Sequence, residues 1–510
     1  MTAIPIDIEA YFYDSDDRVY SNRQMSDLFQ TVSGDVSAAL LARLEATSSQ
    51  LNDHDFCVRI ERAIPYLAEA SRHSSPDSDD FRNNIRNVYG QTPELENLRN
   101  GWLYWLAVMG SEGALELWNE LLANEPPSVR RGVVWAYAPL LKNENLTEAF
   151  LNQMLDSSIC QPQLAGVALD LANFQVREGI RDSHSAESRL PQLMQMMAVV
   201  TGQLSQIEDG VAPEGMEPER ISEVVNDSVA ILISLCDFIG LCKYQDGEGR
   251  LRQVAGLRHR RLQTEANAAL ATLGIEDGKK QLVALAQDPA ARVRAIRYAK
   301  ELGFEDEISP EFRSSRALAE SQMAMWLAEP QHMGVAPSRL EVVDERRWFW
   351  PGYDDPVDCF LIRFAYGEAL QQYTNIGIVG PMTFAFDFNV TTLSLDDLYA
   401  AFAGWQAQHD DLYEVSMDDA YRIREREVQA TLSLLEEQDF TDLAPQFLAN
   451  FFGDWVMIAN ARLNGNRGTV IADDQQVHWF IDNAAESNAE FAYLVYRGRR
   501  LLSAFNAESE

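Results

Sequence analysis

Apolar residues recur every three or four positions through most of the first three-fifths of the chain, which is the spacing that lines one face of a helix. Residues 37–45, 56–70 and 98–109 show the pattern most plainly. Proline, glycine and short polar runs interrupt it repeatedly, and such interruptions mark turns. The pattern therefore predicts a succession of short amphipathic helices, and the short turns between them favour antiparallel neighbours.

One segment, Lys279–Gly303, has the pattern of a complete helical hairpin. An amphipathic helix leads into an Asp288-Pro289 turn, and a second amphipathic helix follows and ends at Gly303. Proline fits the first turn of a helix because its missing N–H would have no partner there, and glycine fits the left-handed residue just past a helix end. A weaker copy of this hairpin occupies residues 122–140.

Glycine recurs at the predicted helix ends. Gly240, Gly274 and Gly303 each follow an apolar helical stretch, at spacings of 34 and 29 residues. We expect each of them to end a helix in the left-handed conformation, which other residues resist. A period of about 30 residues predicts stacked helical pairs, because one pair alone cannot bury its apolar face.

The sequence Asp-Pro-Ala-Ala-Arg-Val-Arg-Ala-Ile-Arg-Tyr-Ala, which begins at Asp288, resembles the HEAT repeat, particularly the short form in phycobilisome-lyase-like HEAT proteins. Residues 122–136 are similar, with one residue fewer between the leucine and the Val-Arg pair. The resemblance covers about residues 35–310 and implies an all-α superhelical solenoid. The likeness to phycobilisome lyases implies, as an alternative function, the handling of a tetrapyrrole.

The spacing of apolar residues changes from about residue 340. Alternating residues predict a strand at 340–350 and a hairpin around Gly367. Helices are predicted from Ser394, which has a capping-box-like partner in Asp397, and over 421–437. Asn464-Gly and Arg497-Gly have turn chemistry. Further short strands are predicted at 455–462, 468–472, 477–481, 491–496 and 500–505.

These patterns predict a multidomain chain, in which a HEAT-like α-α solenoid precedes an α+β domain with antiparallel strands. The predicted parts are a solenoid with an N-terminal capping arm at 1–310, a connecting helix and linker at 311–345, and the α+β domain at 346–510.

The charge and the cysteine content argue against several classes of protein, among them zinc-binding and disulfide-rich secreted proteins. The chain of 510 residues has a net charge of −36, which repels nucleic acids and anionic membranes and favours basic partners. Its five cysteines form no zinc-binding spacing and no disulfide framework. Residues 1–9 lack the features of a signal peptide, and the apolar run 229–242 is too short to span a bilayer. We expect a soluble cytoplasmic protein without a cofactor or a metal site.

The first candidate binding site is a ridge of arginines. Between residues 243 and 300, twelve Lys and Arg stand against six Asp and Glu. Stacked repeats would place equivalent arginines in a row that binds carboxylates, phosphates or an acidic segment. The alternative is that these arginines pair with turn acids of neighbouring repeats, Asp277 or Asp288. The candidate residues are Arg258, Arg260, Arg261, Arg292, Arg294 and Arg297.

Other candidates lie in the C-terminal domain. Trp405, Trp455 and Trp479 would wall a pocket for a planar ligand or peptide, or would simply pack across strands. Cys359 with His409 or His478 is a candidate nucleophilic pair, although its flanks have the pattern of an ordinary buried strand. Acidic doublets at helix starts fit solvated helix termini better than a cation site.

The sequence thus favours a non-catalytic scaffold for protein–protein interaction, with the α+β domain as a second recognition or packing module. A small-molecule or tetrapyrrole-handling lyase or chaperone, or an enzyme in the C-terminal domain, is the first alternative. Nucleic-acid binding along the arginine ridge is the second, and the net charge of −36 opposes it.

Overall fold

The computed structural model of the chain describes residues 4–13, 21–30, 32–47, 50–51, 53–72, 78–92, 95–127, 130–141, 143, 146–211, 217–329, 331–367, 373–473, 476–481 and 488–507. The chain divides into two compact units, Met1–Leu282 and Val283–Glu510, and the division falls inside a helix. The N-terminal part is mostly helical and antiparallel sheets follow it, which confirms the broad fold predicted from the periodicity. The predicted domain limits at 310 and 345 stay a prediction.

The helices of the first unit, with one that runs into the second, are α1 (Ile6–Tyr13), α2 (Asn22–Phe29), α3 (Gly34–Ala46), α4 (His54–Arg72), α5 (Asp79–Gln91), α6 (Glu96–Met109), α7 (Glu112–Asn124), α8 (Arg130–Leu141), α9 (Glu148–Ser158), α10 (Pro162–Arg177), α11 (Leu190–Glu208), α12 (Pro218–Leu241), α13 (Glu248–Ala255), α14 (Arg260–Thr272) and α15 (Glu276–Leu285).

These helices pack in two sequential series. The even-numbered helices from α4 to α14 each contact the next even-numbered one. Among the odd-numbered helices, α3 contacts α5, α5 contacts α7, α7 contacts α9, and α11 contacts α13. Pairs such as α3 with α4 and α13 with α14 join the two series. A single hydrophobic cluster runs through this packing from α1 to α14, and Tyr11 and Phe12 of the predicted N-terminal arm are buried in it.

Local signals set many of the helix ends. The helix after the Asp288-Pro289 turn begins at Pro289, as the sequence predicts, and Asp288 caps it by accepting the backbone N–H of Ala290. Gly274 and Gly303 have φ of +80° and +79°, which confirms them as left-handed helix ends. The prediction for Gly240 is wrong, because α12 continues to Leu241. Gly240 instead lies inside α12 against the backbone of Ala269. A Cβ added to Gly240 would be 3.6 Å from the Cα of Ala269.

Helix α12 is long and apolar enough to cross a membrane by composition, over Arg220–Leu241. More than half of that stretch is buried, and α12 packs against α10, α11 and α14. A core helix of a soluble protein passes the same test of length and composition, so this one helix is weak evidence for a membrane span. The chain is consistent with a soluble protein.

The second unit continues with α16 (Pro289–Glu301), α17 (Ser315–Leu327), β1 (Arg339–Trp348), β2 (Val357–Tyr366), β3 (Tyr373–Val379), β4 (Phe384–Ala385), α18 (Leu395–Gln406), β5 (Leu412–Ser416), α19 (Met417–Glu437), β6 (Thr441–Phe451), β7 (Asp454–Leu463), β8 (Asn466–Ala472), β9 (Val477–Ile481) and α20 (Ala489–Phe505). Strands β1 to β4 form one antiparallel sheet in that order, and β5 to β9 form another; we call them sheet A and sheet B.

The sheets and helices of this unit alternate in layers. Helix α17 covers one face of sheet A, and α18 and α20 cover the other. Helix α20 also packs on one face of sheet B, whose opposite face is covered by α19. Helices α18 and α20 therefore form a central layer between the two sheets, because both sheets have one apolar face turned to it.

The same order of elements occurs twice in this unit. The first half consists of α17, β1 to β4 and α18, and the second half consists of α19, β6 to β9 and α20. In each half the first helix covers the outer face of a sheet and the last helix covers the inner face. Strand β5 lies between the halves in sequence and pairs with β6 at the edge of sheet B.

One prediction for this unit is wrong. Residues 491–496 and 500–505, predicted as two strands around an Arg497-Gly turn, belong to the single helix α20. Its buried side chains recur with helical spacing, and Gly498 permits a close helix contact instead of a turn. By contrast, β1 to β3, β7 to β9, α18, α19 and the Asn464-Gly turn lie where the sequence predicts them.

Candidate functional site

Three of the predicted arginines lie around the start of α14 in the first unit. Arg258 donates to the Glu208 carbonyl oxygen at 3.0 Å and forms an ion pair with Asp209 at 3.3 Å. Arg260 donates to Gln263 at 2.8 Å, and Arg261 lies 3.9 Å from Glu265 on the same helix. Local acids and amides thus already engage all three guanidinium groups.

The other three arginines lie on α16 in the second unit. Arg292 is only 4% exposed, and its guanidinium donates to the carbonyl oxygens of Ala286, Gln287 and Ala317. It also forms an ion pair with Glu320 at 3.3 Å. Burial and these bonds give Arg292 a structural role. Arg297 pairs with Glu301 one turn along α16, and Arg294 is on the same helix. A ridge that joins the arginines of both units stays a prediction.

The three candidate tryptophans each have an aromatic neighbour from another element. Trp405 stacks on Phe384 of β4 with ring centroids 3.9 Å apart. Trp455 meets Tyr413 edge to face at 5.8 Å, and Trp479 meets Phe440 at 5.3 Å. Trp455 and Trp479 pack against the same cluster beneath α19, whereas Trp405 lies in the last turn of α18 in the first half. A shared pocket of the three stays a prediction.

The candidate nucleophile Cys359 is buried in β2. Its thiol faces the Val357 carbonyl oxygen, and burial, with a smaller contribution from the charge of Asp358, raises its pKa to about 12. A thiol in this state is a poor nucleophile near neutral pH. His409 contacts Phe452 and Phe505, and His478 contacts Tyr496. Within the described ranges, no group of three or more His, Cys, Asp or Glu side chains is arranged to hold a metal ion.

A cleft of about 630 Å³ lies on sheet B beside the start of α20. Its lining includes Arg462 and Arg467, which face each other across β7 and β8, and Asp442, which pairs with Arg462 at 3.1 Å. Its volume falls in the range of about 300–1,000 Å³ that is typical of small-molecule sites. The lining carries both signs of charge, so it favours no single class of ligand.

A further aromatic pair, which the sequence reasoning missed, lies in the first unit. Tyr104 of α6 and Trp135 of α8 stack with centroids 4.4 Å apart and planes 11° apart. Both rings are half-buried, and the adjacent Val134 is 51% exposed. Gly101 lies beneath the pair: a Cβ added there would be 3.6 Å from the Trp135 ring, which is an ordinary contact, but only 2.6 Å from the Ile64 side chain.

Charged groups of α4 flank this pair. Glu69 and Arg72 form an ion pair at 3.1 Å, and both act on the Tyr104 hydroxyl. Burial and then the charge of Glu69 raise the pKa of Tyr104, while Arg72 opposes the rise. We call Glu69, Arg72, Tyr104, Val134 and Trp135 the α4–α6–α8 patch.

A sequence signal for this patch exists. The buried stripe of α8 consists of Val133, Ala136, Tyr137 and Leu140, so Val134 and Trp135 lie beside the stripe. The two side chains therefore extend the apolar surface of α8 beyond its buried stripe.

Comparisons with known proteins give no relative. No family model matches the chain, and no curated protein and no solved structure matches it.

Proposed function

We propose that the chain is a non-catalytic scaffold for protein–protein interaction, built on a HEAT-like solenoid in its helical N-terminal part. A protein partner docks on the α4–α6–α8 patch, and the α+β unit serves as a second recognition module. We place the protein in the cytoplasm.

The observation that carries this proposal is the sequential packing of α4, α6, α8, α10, α12 and α14, each against the next. Packing of each repeat on its neighbours is the defining property of helical-repeat proteins, whose extended faces bind other proteins. The HEAT-like sequence at Asp288 and the capping role of that residue agree with it.

The α4–α6–α8 patch has the chemistry of an interaction surface. Tyrosine and tryptophan are the residue types that most often dominate binding energy at protein interfaces. Here their rings stack on each other, so little side-chain freedom remains to be lost on binding. The flanking Glu69–Arg72 pair supplies polar groups at the rim of the apolar centre.

The test is quantitative affinity purification of the tagged full chain from its own cells, followed by mass spectrometry. The variant Trp135→Ala removes the larger ring, and we expect it to lose a partner that the native chain retains. Val199→Ala is the matched control, because Val199 is an exposed apolar residue on α11. Circular dichroism must show equal helix content in all three proteins.

Retention of every partner by Trp135→Ala would count against this docking site. Absence of any partner, together with turnover of a metabolite by the purified chain, would count against the scaffold function as a whole. A visible absorption band in the purified protein, or quenching of its tryptophan fluorescence by a bilin, would instead favour the tetrapyrrole-handling alternative.

A further inference from the structure

Phe452 has a backbone conformation that phenylalanine rarely adopts. It lies with Gly453 in the two-residue turn between β6 and β7, and their φ values are +50° and +94°. The next turn of the same sheet, Asn464-Gly465, has φ of +51° and +81°. Asparagine is a preferred residue at this position, whereas a bulky side chain there is strained. The two turns thus have positive φ at both residues and differ only in the first one, which is phenylalanine at 452 and asparagine at 464.

The ring held by this strained turn is on the surface. Phe452 is 43% exposed and meets His409 edge to face at 5.3 Å. His409 also contacts Phe505 at the end of α20, which is 37% exposed. The neighbouring Asn506 bonds to both the N–H and the carbonyl oxygen of Phe349, whose side chain is 41% exposed. We call Phe349, His409, Phe452 and Phe505 the Phe452 patch.

Phe349 and Phe452 occupy equivalent positions in the two halves of the second unit. Phe349 directly follows β1, the first strand of the first half, and Phe452 directly follows β6, the first of the four equivalent strands of the second half. The two connections differ in length, since β1 and β2 are joined by residues 349–356 and β6 and β7 by 452–453. An exposed phenylalanine follows both β1 and β6 although the two connections have different lengths. The geometry of the β6–β7 turn therefore does not by itself explain why a phenylalanine is present there.

Exposed acidic residues adjoin the patch. Asp410 and Asp411 are exposed and directly follow His409, and the Asp411 carbonyl oxygen accepts the N–H of Phe452 at 3.1 Å. Asp454, on the other side of the turn, is paired with Arg500 at 3.5 Å. The charge of the chain as a whole is −36. An apolar centre beside acidic residues complements a ligand with an apolar anchor beside positive charge.

We propose that the Phe452 patch docks a short segment of a partner protein that has an aromatic or large aliphatic anchor next to Lys or Arg. The anchor packs among the phenylalanine rings, and the cation lies over Asp410 and Asp411. Local strain is retained at functional sites when it places a required group, and here that group is the ring of Phe452. This surface belongs to the second unit and does not rest on the α4–α6–α8 patch.

The experiment uses the full chain and a random peptide library displayed on phage. We expect selected peptides to combine an aromatic or large aliphatic residue with Lys or Arg. A selected peptide is then synthesised and its Kd measured by fluorescence anisotropy. Phe452→Asn copies the Asn464-Gly465 turn, so it removes the ring and keeps the backbone. We expect it to weaken binding by about tenfold or more, as loss of an interface anchor does.

Three further measurements separate the proposal from a structural role. The urea midpoint of the second unit in Phe452→Asn should equal or exceed that of the native chain, because asparagine tolerates the left-handed conformation. The double variant Asp410→Asn, Asp411→Asn should weaken binding and reduce its dependence on salt. Tyr421→Ala, which removes an equally exposed ring from α19, is the control and should leave Kd unchanged.

The proposal is overturned if no peptide is enriched, if the enriched peptides are acidic, or if Phe452→Asn binds as well as the native chain. A lower urea midpoint in Phe452→Asn would also overturn it, since the ring would then be a packing residue. Dimerisation of the native chain that Phe452→Asn abolishes would identify a second copy as the occupant, and would equally refute a basic peptide partner.

Discussion

Gly498 of α20 lies so close to Ala400 of α18 that a Cβ on Gly498 would stand 1.7 Å from the Ala400 carbonyl oxygen. The reciprocal contact places Gly404 of α18 against Leu494 of α20, where a Cβ would stand 2.1 Å from the carbonyl oxygen. Gly404 and Gly498 are both the tenth residue of their helix, and Ala400 and Leu494 are both the sixth. The central layer of the second unit is therefore a symmetric helix crossing built on two glycines.

Replacing Gly498 by alanine should destabilise the second unit. Alanine is worth about 0.5–1 kcal/mol in helix propensity, but a clash with backbone forces the helices apart and costs about 1–3 kcal/mol or more. We expect a net loss of about 2 kcal/mol in the free energy of unfolding, measured by urea titration. The control is Gly202→Ala in α11, where nothing lies within 4 Å of the added Cβ. That variant should be as stable as the native chain or more so.

His184 should make the first unit sensitive to mild acid. It is buried, its Nδ1 accepts the N–H of Ala186 at 3.0 Å, and its Nε2 donates to Asn173 at 2.9 Å. This geometry suits the neutral imidazole, and burial lowers the pKa of His184 from 6.5 to about 4. Between these two pKa values the imidazole is neutral in the folded state and protonated in the unfolded state. The contribution of neutral His184 to the free energy of unfolding is therefore fully present above pH 6.5 and is lost as the pH falls towards 4.

The loss at pH 5 should be about 2 kcal/mol relative to pH 7. The measurement compares urea unfolding of the native chain and of His184→Gln at both pH values, because the difference between them isolates this side chain from other titrating groups. Equal pH dependence of the two proteins would show that His184 is not the source.

Arg292 should be required for stability although it lies in the region of predicted binding arginines. Arg292→Lys replaces a planar guanidinium, which reaches the carbonyl groups of Ala286, Gln287 and Ala317 from three separate nitrogens, with one compact ammonium that does not match those positions, and each unpaired buried acceptor costs about 1–3 kcal/mol. We expect a loss of about 2–4 kcal/mol in urea unfolding. Arg297→Lys, on the exposed face of α16, should change stability by about 0.5 kcal/mol or less. Similar values for both variants would contradict the structural role of Arg292.

The buried Asn375 should be required for the stability of sheet A. Its buried amide donates to the carbonyl oxygens of Phe386 and Phe388 and accepts the N–H of Val390 at 3.0 Å. Asn375→Asp would place a carboxylate against two carbonyl oxygens, and we expect a loss of about 3 kcal/mol or more at pH 7 in urea unfolding.

The matched control is Asn389→Asp. The exposed Asn389 uses its side-chain oxygen to accept the N–H of Thr391, which aspartate does equally well, and the bond that its amide donates to the Thr374 carbonyl oxygen is long, at 3.5 Å, and exposed. That variant should unfold as the native chain does. A comparable loss in both variants would mean that the added charge, and not the lost donors, is responsible.

Features that depend on nearby residues could be predicted from the sequence, and contacts between distant segments could not. The helices over residues 37–45, 56–70 and 98–109, the helix start at Pro289, the left-handed ends at Gly274 and Gly303 and the Asn464-Gly465 turn were predicted correctly, because each depends on residues a few positions apart. Gly240 and Gly498 were misassigned for the opposite reason. The same residue serves as a turn or as a close helix contact, and only the neighbouring helix distinguishes the two.

The sequence by itself determined where apolar stripes, caps and turns lie, and with them the change from a helical part to one with antiparallel sheets. Only the tertiary structure decided that Arg292 is buried on carbonyl groups, that Tyr104 stacks on Trp135, and that His409 contacts both Phe452 and Phe505. These relations join elements far apart in the chain, and they follow from which faces pack together, a choice that the periodicity of a single segment does not encode.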